Sequence, residues 1–164
     1  MTTISGEKIM GEYHFTESGL DNIYLVNGFE ITKNNGDEEI FIHDIHGLLK
    51  TIGMMLVTKK GLLIGNEIKF IRTTLDFSQT VLAKLIGCTY QTILLWEKNK
   101  TPISNTADRL LRVIFFEYLN PDKNRKVFDL INEIADFEAE VASSQGKINK
   151  IEFEEVSDKW QLIA

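Results

Sequence analysis

Apolar residues in the middle of the chain recur at the three- and four-residue spacing of amphipathic helices. The spacing predicts a first central helix over residues 64–75, and its apolar side carries Ile64, Ile68, Ile71 and Leu75. Three further helices are predicted after it. Ser78 caps the second, the third runs from about Thr89 to Lys98, and Ser104 or Asn105 caps the fourth. Residues 61–120 are therefore predicted to form a helical bundle.

The last of these helices is bracketed by the only two prolines, Pro102 and Pro121. Asp108 lies in its first turn, and Asn120-Pro121 is predicted to end it because a residue before proline avoids the helical conformation. The stripe predicted to be buried comprises Ala107, Leu110, Leu111, Ile114, Phe115 and Tyr118.

Residues 1–43 alternate short apolar runs with turn residues, which is typical of β-structure. The strand candidates are residues 12–16, 23–26, 29–32 and 40–42. Asn27-Gly28 stands between the second and third candidates and is the favoured two-residue hairpin turn. A second turn is predicted at residues 34–37. The pattern predicts a small antiparallel sheet.

A sheet this small needs a covering layer to be stable. Residues 44–58 can provide a helix that lies on it, with Asp44 as N-cap. Its apolar positions at helical spacing are Ile45, Leu48, Leu49, Ile52, Met55 and Leu56. We therefore expect a small sheet-and-helix domain over residues 1–60.

The C-terminal part, residues 121–164, is predicted to contain a helix over 123–142, a loop at 143–146 and two strands. These strands, 151–156 and 160–163, flank a turn at Ser157-Asp158. This segment is a candidate dimerisation or partner element. The predicted fold class is mainly α with a small N-terminal β part, α+β overall.

The net charge of −6 hides an uneven distribution. Residues 1–58 and 127–164 each carry a net of −6, whereas residues 59–126 hold twelve Lys or Arg and six Asp or Glu, a net of +6. A basic segment between acidic flanks suits a local contact with nucleic-acid phosphates, because charges act over about 8 Å at physiological salt.

Other composition features narrow the class of protein. The single cysteine, Cys88, cannot form an internal disulfide or a cysteine zinc site, and it fits a small apolar turn residue. The N-terminal residues lack the hydrophobic run of a signal peptide, and no apolar run is long enough to span a bilayer, so we expect a cytoplasmic protein. Paired catalytic carboxylates, a Ser-His-Asp order, a phosphate-binding glycine loop and an HExxH motif are absent from the sequence. We expect no enzymatic activity and no cofactor.

The histidines are the remaining candidates for metal chemistry. His43 and His46 are three residues apart, and His14 could approach them from the first predicted strand. Together with Asp44 they could hold zinc in principle. Since Asp44 already has a role as N-cap and no other ligand motif is present, we predict no metal site.

Residues 77–100 have the pattern of a helix-turn-helix. Ala83 is small where two helices would cross closely, and Gly87 suits a turn residue with positive φ. Ile93 is an apolar residue of the second helix that is predicted to pack against the first helix. Asn99 is predicted to end the second helix, since asparagine often substitutes for glycine in the left-handed conformation.

A helix of this kind would present its first turn to base edges in the major groove. Gln91 is the best specific reader, because an amide can pair with adenine N6 and N7. The lysines that flank the helix are predicted to contact DNA phosphates. Arg72 is a further candidate for a phosphate contact. The predicted DNA-binding residues are Gln79, Lys84, Thr89, Tyr90, Gln91, Thr92, Leu95, Lys98 and Lys100. Leu94 and Leu95 are unusual on such a helix; at least one is expected to be buried or to contact a thymine methyl group or a partner.

From Gly65 to Leu119 the chain resembles the lambda-repressor-like helix-turn-helix class, also called Cro-type or XRE-type. The resemblance implies a bundle of four to five helices that commonly binds DNA as a dimer, with Gln79 and residues 89–92 at the DNA-contact places. The residues that match the class pattern are Ser78-Gln79, Leu82-Ala83-Lys84, Gly87, Ile93, Trp96-Glu97 and Lys100.

Three other stretches, residues 13–28, 42–47 and 107–112, resemble the MqsA/YgiT-type regulators, which are antitoxins and their relatives. Those antitoxins use CxxC pairs in the N-terminal domain to bind zinc and to grip an RNA-cleaving toxin. This chain has no CxxC motif, so the resemblance does not imply a zinc site in it. Gln91 matches a base-reading position of the family, whereas Leu95 stands where an arginine is expected, so the operator is not carried over either.

The sequence therefore predicts a transcriptional regulator, acting as a repressor, that binds double-stranded DNA. It would read a palindromic operator as a homodimer through a recognition helix at about residues 89–98. The alternative is an antitoxin-like protein-binding module that neutralises a partner toxin and regulates its own operon. Leu94, Leu95 and the acidic flanks favour that alternative.

Overall fold

The structure, a computed structural model, describes residues 11–120 and 150–163. The chain is α+β, with five α-helices and six strands among these residues. The described residues divide into two compact units: residues 11–51 with 150–163, here called the sheet unit, and residues 52–120, here called the helical unit. This division differs from the predicted boundaries at 60 and 120, because the C-terminal strands join the N-terminal ones. None of the described helices is long and apolar enough to cross a membrane.

The sheet unit contains a four-stranded mixed sheet in the order β1-β2-β5-β6. Its strands are β1 (Tyr13–His14), β2 (Ile23–Leu25), β5 (Ile151–Val156) and β6 (Lys159–Leu162). β2 pairs with β5 in parallel, with Leu25 opposite Phe153, and the other two pairings are antiparallel. The turn between β5 and β6 lies at Ser157 and Asp158, as predicted, and both residues have positive φ.

The prediction of a hairpin at Asn27-Gly28 is wrong, because β2 does not pair with the strand that follows it. Instead, the Asn27 side chain extends the pairing of β2 with β5. Its Nδ2 donates to the Glu155 carbonyl at 3.2 Å, and its Oδ1 accepts from the Glu155 N–H at 2.6 Å. Gly28 has φ +74°, and a Cβ there would lie 2.7 Å from the Trp160 ring.

The strand after Gly28 forms a second, two-stranded sheet with its own neighbour. β3 (Phe29–Asn34) pairs with β4 (Asp37–Ile42), and Ile31 stands opposite Ile40. Asn35 and Gly36 form the turn, both with positive φ, which confirms the turn predicted at residues 34–37. The single antiparallel sheet of the prediction is thus replaced by a mixed sheet and a separate hairpin.

Helix α1 (Ile45–Thr58) begins at Asp44, whose Oδ1 accepts from the Gly47 N–H at 3.1 Å and confirms the predicted cap. Its first half lies beside β6, since the Thr51 hydroxyl is 3.4 Å from the Trp160 carbonyl. In its second half, a Cβ at Gly53 would lie 2.9 Å from Phe115. This glycine allows a close approach of a later helix.

The helical unit continues with α2 (Gly65–Thr74), α3 (Gln79–Ile86), α4 (Tyr90–Glu97) and α5 (Asn105–Leu119). The hydroxyls of Ser78, Thr89 and Ser104 accept hydrogen bonds from the first turns of α3, α4 and α5. The predicted caps at Ser78 and Ser104 are thereby confirmed. The fully buried apolar side chains of these helices include Ile71, Leu82, Ile93, Leu111 and Phe115.

The predicted buried stripe of α5 is wrong at two positions, because Leu110 and Tyr118 are 37% and 54% exposed. Asp108 and Arg112 are buried in their place. Arg112 Nε donates to Asp108 Oδ2 at 2.8 Å. The rest of its guanidinium donates to carbonyls at the end of α1 and in the segment after it, namely those of Leu56, Val57, Lys59 and Gly61. Carbonyls at a helix end need such partners, so the charged pair fills a place where the periodicity predicted only apolar contacts.

The predicted helix over 123–142 and loop at 143–146 lie outside the described residues. The dimerisation role suggested for that segment stays a prediction.

Candidate nucleic-acid interface

A tight turn joins α3 to α4. Gly87 has φ +84°, and the N–H groups of Gly87 and Cys88 both donate to the Ala83 carbonyl, at 2.9 and 3.0 Å. No atom lies within 4 Å of a Cβ built at Gly87, so its backbone conformation rather than space favours glycine there. Ala83 and Ile93 are buried, as predicted for the contact between the two helices.

The first turn of α4 is fixed by two threonines. The Thr89 hydroxyl accepts from the Thr92 N–H at 3.3 Å and lies 3.0 Å from the Thr92 hydroxyl. These contacts keep the start of α4 regular while Tyr90 and Gln91 remain exposed. The turn can therefore present both side chains to a ligand without being reshaped.

A buried polar network joins α2, α3 and α4 around Glu97. Arg72 donates to the Glu97 carboxylate at 2.5 and 3.2 Å and to the Phe77 carbonyl at 2.9 Å. Gln79 Nε2 donates to the same carboxylate at 2.8 Å. The side chains of Arg72 and Glu97 are only 13% and 6% exposed. Arg72 is therefore buried in an ion pair and is not available for the phosphate contact that the sequence suggested. Gln79 keeps one amide hydrogen for an outside partner.

The end of α4 rests on the start of α2. Asn99 has φ +53°, as predicted for a left-handed helix end, and its Oδ1 accepts from the Gly65 N–H at 2.7 Å. A Cβ at Gly65 would lie 2.7 Å from the Trp96 carbonyl oxygen. The close contact fixes the turn after α4, from which Lys98 and Lys100 are exposed.

The structure places the nine predicted DNA-binding residues on α3, α4 and the turns that follow each. Gln79 and Thr92 are half-buried, and the other seven are exposed, namely Lys84, Thr89, Tyr90, Gln91, Leu95, Lys98 and Lys100. Leu94 is half-buried, whereas Leu95 is 42% exposed. The arrangement combines an amide, hydroxyls, an apolar side chain and cations on one helical pair.

Several charged side chains of the helical unit are paired with one another inside the protein. Residues 59–120 contain nine Lys or Arg and five Asp or Glu. Ion pairs within this range include Lys59–Glu67, Arg72–Glu97 and Arg112–Asp108. Between residues 84 and 100 the sequence has three lysines and one carboxylate, that of Glu97, whose side chain is 6% exposed. The exposed charge of this stretch is therefore mainly positive.

The remaining chemically active groups are the Cys88 thiol in the turn between α3 and α4 and the histidines of the sheet unit. Burial raises the pKa of the Cys88 thiol, which keeps it protonated at neutral pH. His14 contacts the Asp21 carbonyl at 2.8 Å, and His43 lies 3.2 Å from Glu155. Among residues 11–120 and 150–163, no group of three or more metal-ligating side chains is arranged to hold an ion.

Sequence reasoning missed the network around Glu97 and the exposed pair Val81 and Leu85 on α3. Arg72 and Glu97 are 25 positions apart, so no helical spacing connects them. Val81 and Leu85 are four residues apart, and this spacing places them on one face of a helix without indicating whether that face is buried or exposed.

The chain was compared with protein-family models, curated proteins and solved structures, and no match was found in any of the three.

Proposed function

We propose that this protein is a sequence-specific DNA-binding transcriptional regulator, with α3 and α4 forming a helix-turn-helix and α4 serving as the recognition helix. The observation that carries the proposal is the exposed Gln91 in the first turn of α4, accompanied by exposed lysines on α3 (Lys84) and directly after α4 (Lys98 and Lys100). We further propose that it acts as a repressor, binding a palindromic operator as a homodimer with half-sites about 34–36 Å apart.

The chemistry of this face suits duplex DNA. The lysines supply charge for phosphates, which sets overall affinity and makes it depend on salt. Gln91 supplies a donor and an acceptor for the edge of adenine. Because the turn, the caps and the Glu97 network hold the helix in place, little ordering free energy opposes binding.

The proposal predicts different defects for two substitutions. The operator is first obtained by selecting bound fragments from the host genome at a stated salt concentration. Gln91→Ala should weaken operator binding by about 1–3 kcal/mol with little effect on random DNA, since it removes a base contact. Lys98→Ala should weaken both and reduce the slope of log affinity against log salt by about one. Fluorescence anisotropy at three salt concentrations measures both effects.

Matched controls come from the sheet unit. Gln161→Ala and Lys159→Ala remove an exposed amide and an exposed cation from β6 and should leave affinity within twofold. Equal losses on operator and random DNA for Gln91→Ala would overturn the readout assignment. Absence of any salt-dependent DNA binding by the wild-type chain would overturn the function itself.

A second candidate is an antitoxin-like module that binds a partner protein and regulates its own operon. The described part of the sheet unit holds twelve Asp or Glu and four Lys, and Phe41 on β4 is 63% exposed. An acidic surface with an exposed aromatic ring suits a basic protein partner. Co-expression with the product of the neighbouring gene tests this: the two should co-purify, and Phe41→Ala should weaken the complex while DNA binding is retained.

A further inference from the structure

Leu95 is an exposed leucine on α4 with a polar side chain one helical turn before it and another one turn after it. It is 42% exposed, although Ile93 and Trp96 on the same helix are buried. Four residues separate it from Gln91 and three from Lys98, so all three side chains leave α4 on the same side. The apolar group thus lies between an amide and a cation.

The charged groups near Leu95 indicate which kind of molecule its side chain contacts. The carboxylate of Glu97 accepts hydrogen bonds from Arg72 and Gln79. Exposed lysines lie in the last turn of α3 and directly after α4. A surface of this charge complements phosphates. Within the major groove of a duplex, the apolar group on a base edge is the C5-methyl of thymine. Leucine has no hydrogen-bonding group in its side chain, so it can read only that methyl.

We infer that Leu95 is a specificity residue that requires a thymine methyl in each half-site, which rests on the function proposed above. Gln91 and Leu95 are about 6 Å apart along the helix axis. Successive bases on a strand are about 3.4 Å apart. Where the helix axis follows the groove, these spacings place the thymine within about two base steps of the adenine that Gln91 contacts.

The test deletes the methyl group from the DNA. Each thymine of the selected operator is replaced in turn by deoxyuracil, which keeps every hydrogen-bonding group. Wild-type protein should lose about fourfold in affinity for each half-site changed at one position, the effect expected for burying one carbon. Leu95→Ala should bind the normal operator more weakly and show no further loss with deoxyuracil there. Gln91→Ala should keep the loss.

A second DNA variant restores the methyl on a different base. Replacing that thymine pair by cytosine–guanine should weaken binding, and 5-methylcytosine should recover about fourfold for wild-type protein but not for Leu95→Ala. Because the methyl is changed on the DNA, the wild-type result does not depend on how any variant folds.

The outcomes separate this inference from the proposed function. Operator binding that is unaffected by deoxyuracil at every position overturns the methyl contact and leaves DNA binding intact. A change in oligomeric state for Leu95→Ala, measured by sedimentation, would assign the leucine to a protein contact and also overturn the inference. Failure of the wild-type chain to bind any DNA overturns the proposed function.

Discussion

Removing the carboxylate of Glu97 should destabilise the helical unit by about 3–4 kcal/mol. Glu97→Ala takes away the acceptor of two bonds from Arg72 and one from Gln79. A hydrogen bond to a charged group contributes about 1.5–3 kcal/mol, and breaking a buried ion pair costs about 3–5 kcal/mol. We take the lower part of that range because Arg72 keeps the Phe77 carbonyl and 13% of its side chain reaches solvent.

The two tryptophans allow this unit to be followed by itself. Trp96 belongs to the helical unit and Trp160 to the sheet unit. In a Trp160→Phe background, tryptophan fluorescence during urea unfolding reports the helical unit alone. The midpoint should fall at unchanged slope for Glu97→Ala. Since small domains are stable by about 5–15 kcal/mol, the variant should still fold without urea.

Two further variants complete the experiment. Glu117→Ala removes a half-exposed carboxylate from α5 and should stay within about 0.5 kcal/mol of the parent. Combining Arg72→Met with Glu97→Ala should cost less than the sum of the single changes, because no unpaired buried charge remains. A cost below about 1 kcal/mol for Glu97→Ala, or simple additivity of the pair, would show that solvent screens these groups and would refute the reasoning.

Two glycine substitutions test the supports of α4 with the same fluorescence assay. Gly65→Ala should lower the free energy of unfolding by about 2–3 kcal/mol, because its Cβ would lie 2.7 Å from the Trp96 carbonyl oxygen. The control is Lys69→Ala, which changes an exposed side chain of the same helix and should be near neutral. An alanine at position 65 that leaves stability unchanged would contradict the close contact. Gly87→Ala should cost about 1 kcal/mol, since φ is +84° and the site is otherwise open. Gly87→Asn should cost less, because asparagine tolerates that conformation, and the reverse order would contradict a conformational cause.

Features governed by neighbours along the chain were predictable. The caps at Asp44, Ser78 and Ser104 form as expected. Gly87 and Asn99 have the left-handed backbone that ends α3 and α4. These features rest on hydrogen bonds that span three to five residues, so residue type and spacing contain the needed information.

For the site, the sequence predicted where the exposed polar groups lie but not what holds them. Gln91 and Lys98 are exposed as expected, because the buried side of α4 is marked by Ile93 and Trp96. Arg72 was considered for phosphate and instead pairs with Glu97. An arginine near a basic surface looks the same in sequence whether its partner is a phosphate or a distant carboxylate.

By itself, then, the sequence determined the central helices, their caps and turns, and the α+β class. The tertiary structure decided which strands are neighbours: β2 pairs with β5 across more than a hundred residues, while Asn27-Gly28, a favoured hairpin signal, bonds to Glu155 instead. It also decided that α5 buries Asp108 and Arg112 and exposes Leu110 and Tyr118. Periodicity tells which residues share a face but not what lies opposite that face, and only the folded chain supplies the carbonyls or the strand edge that complete it.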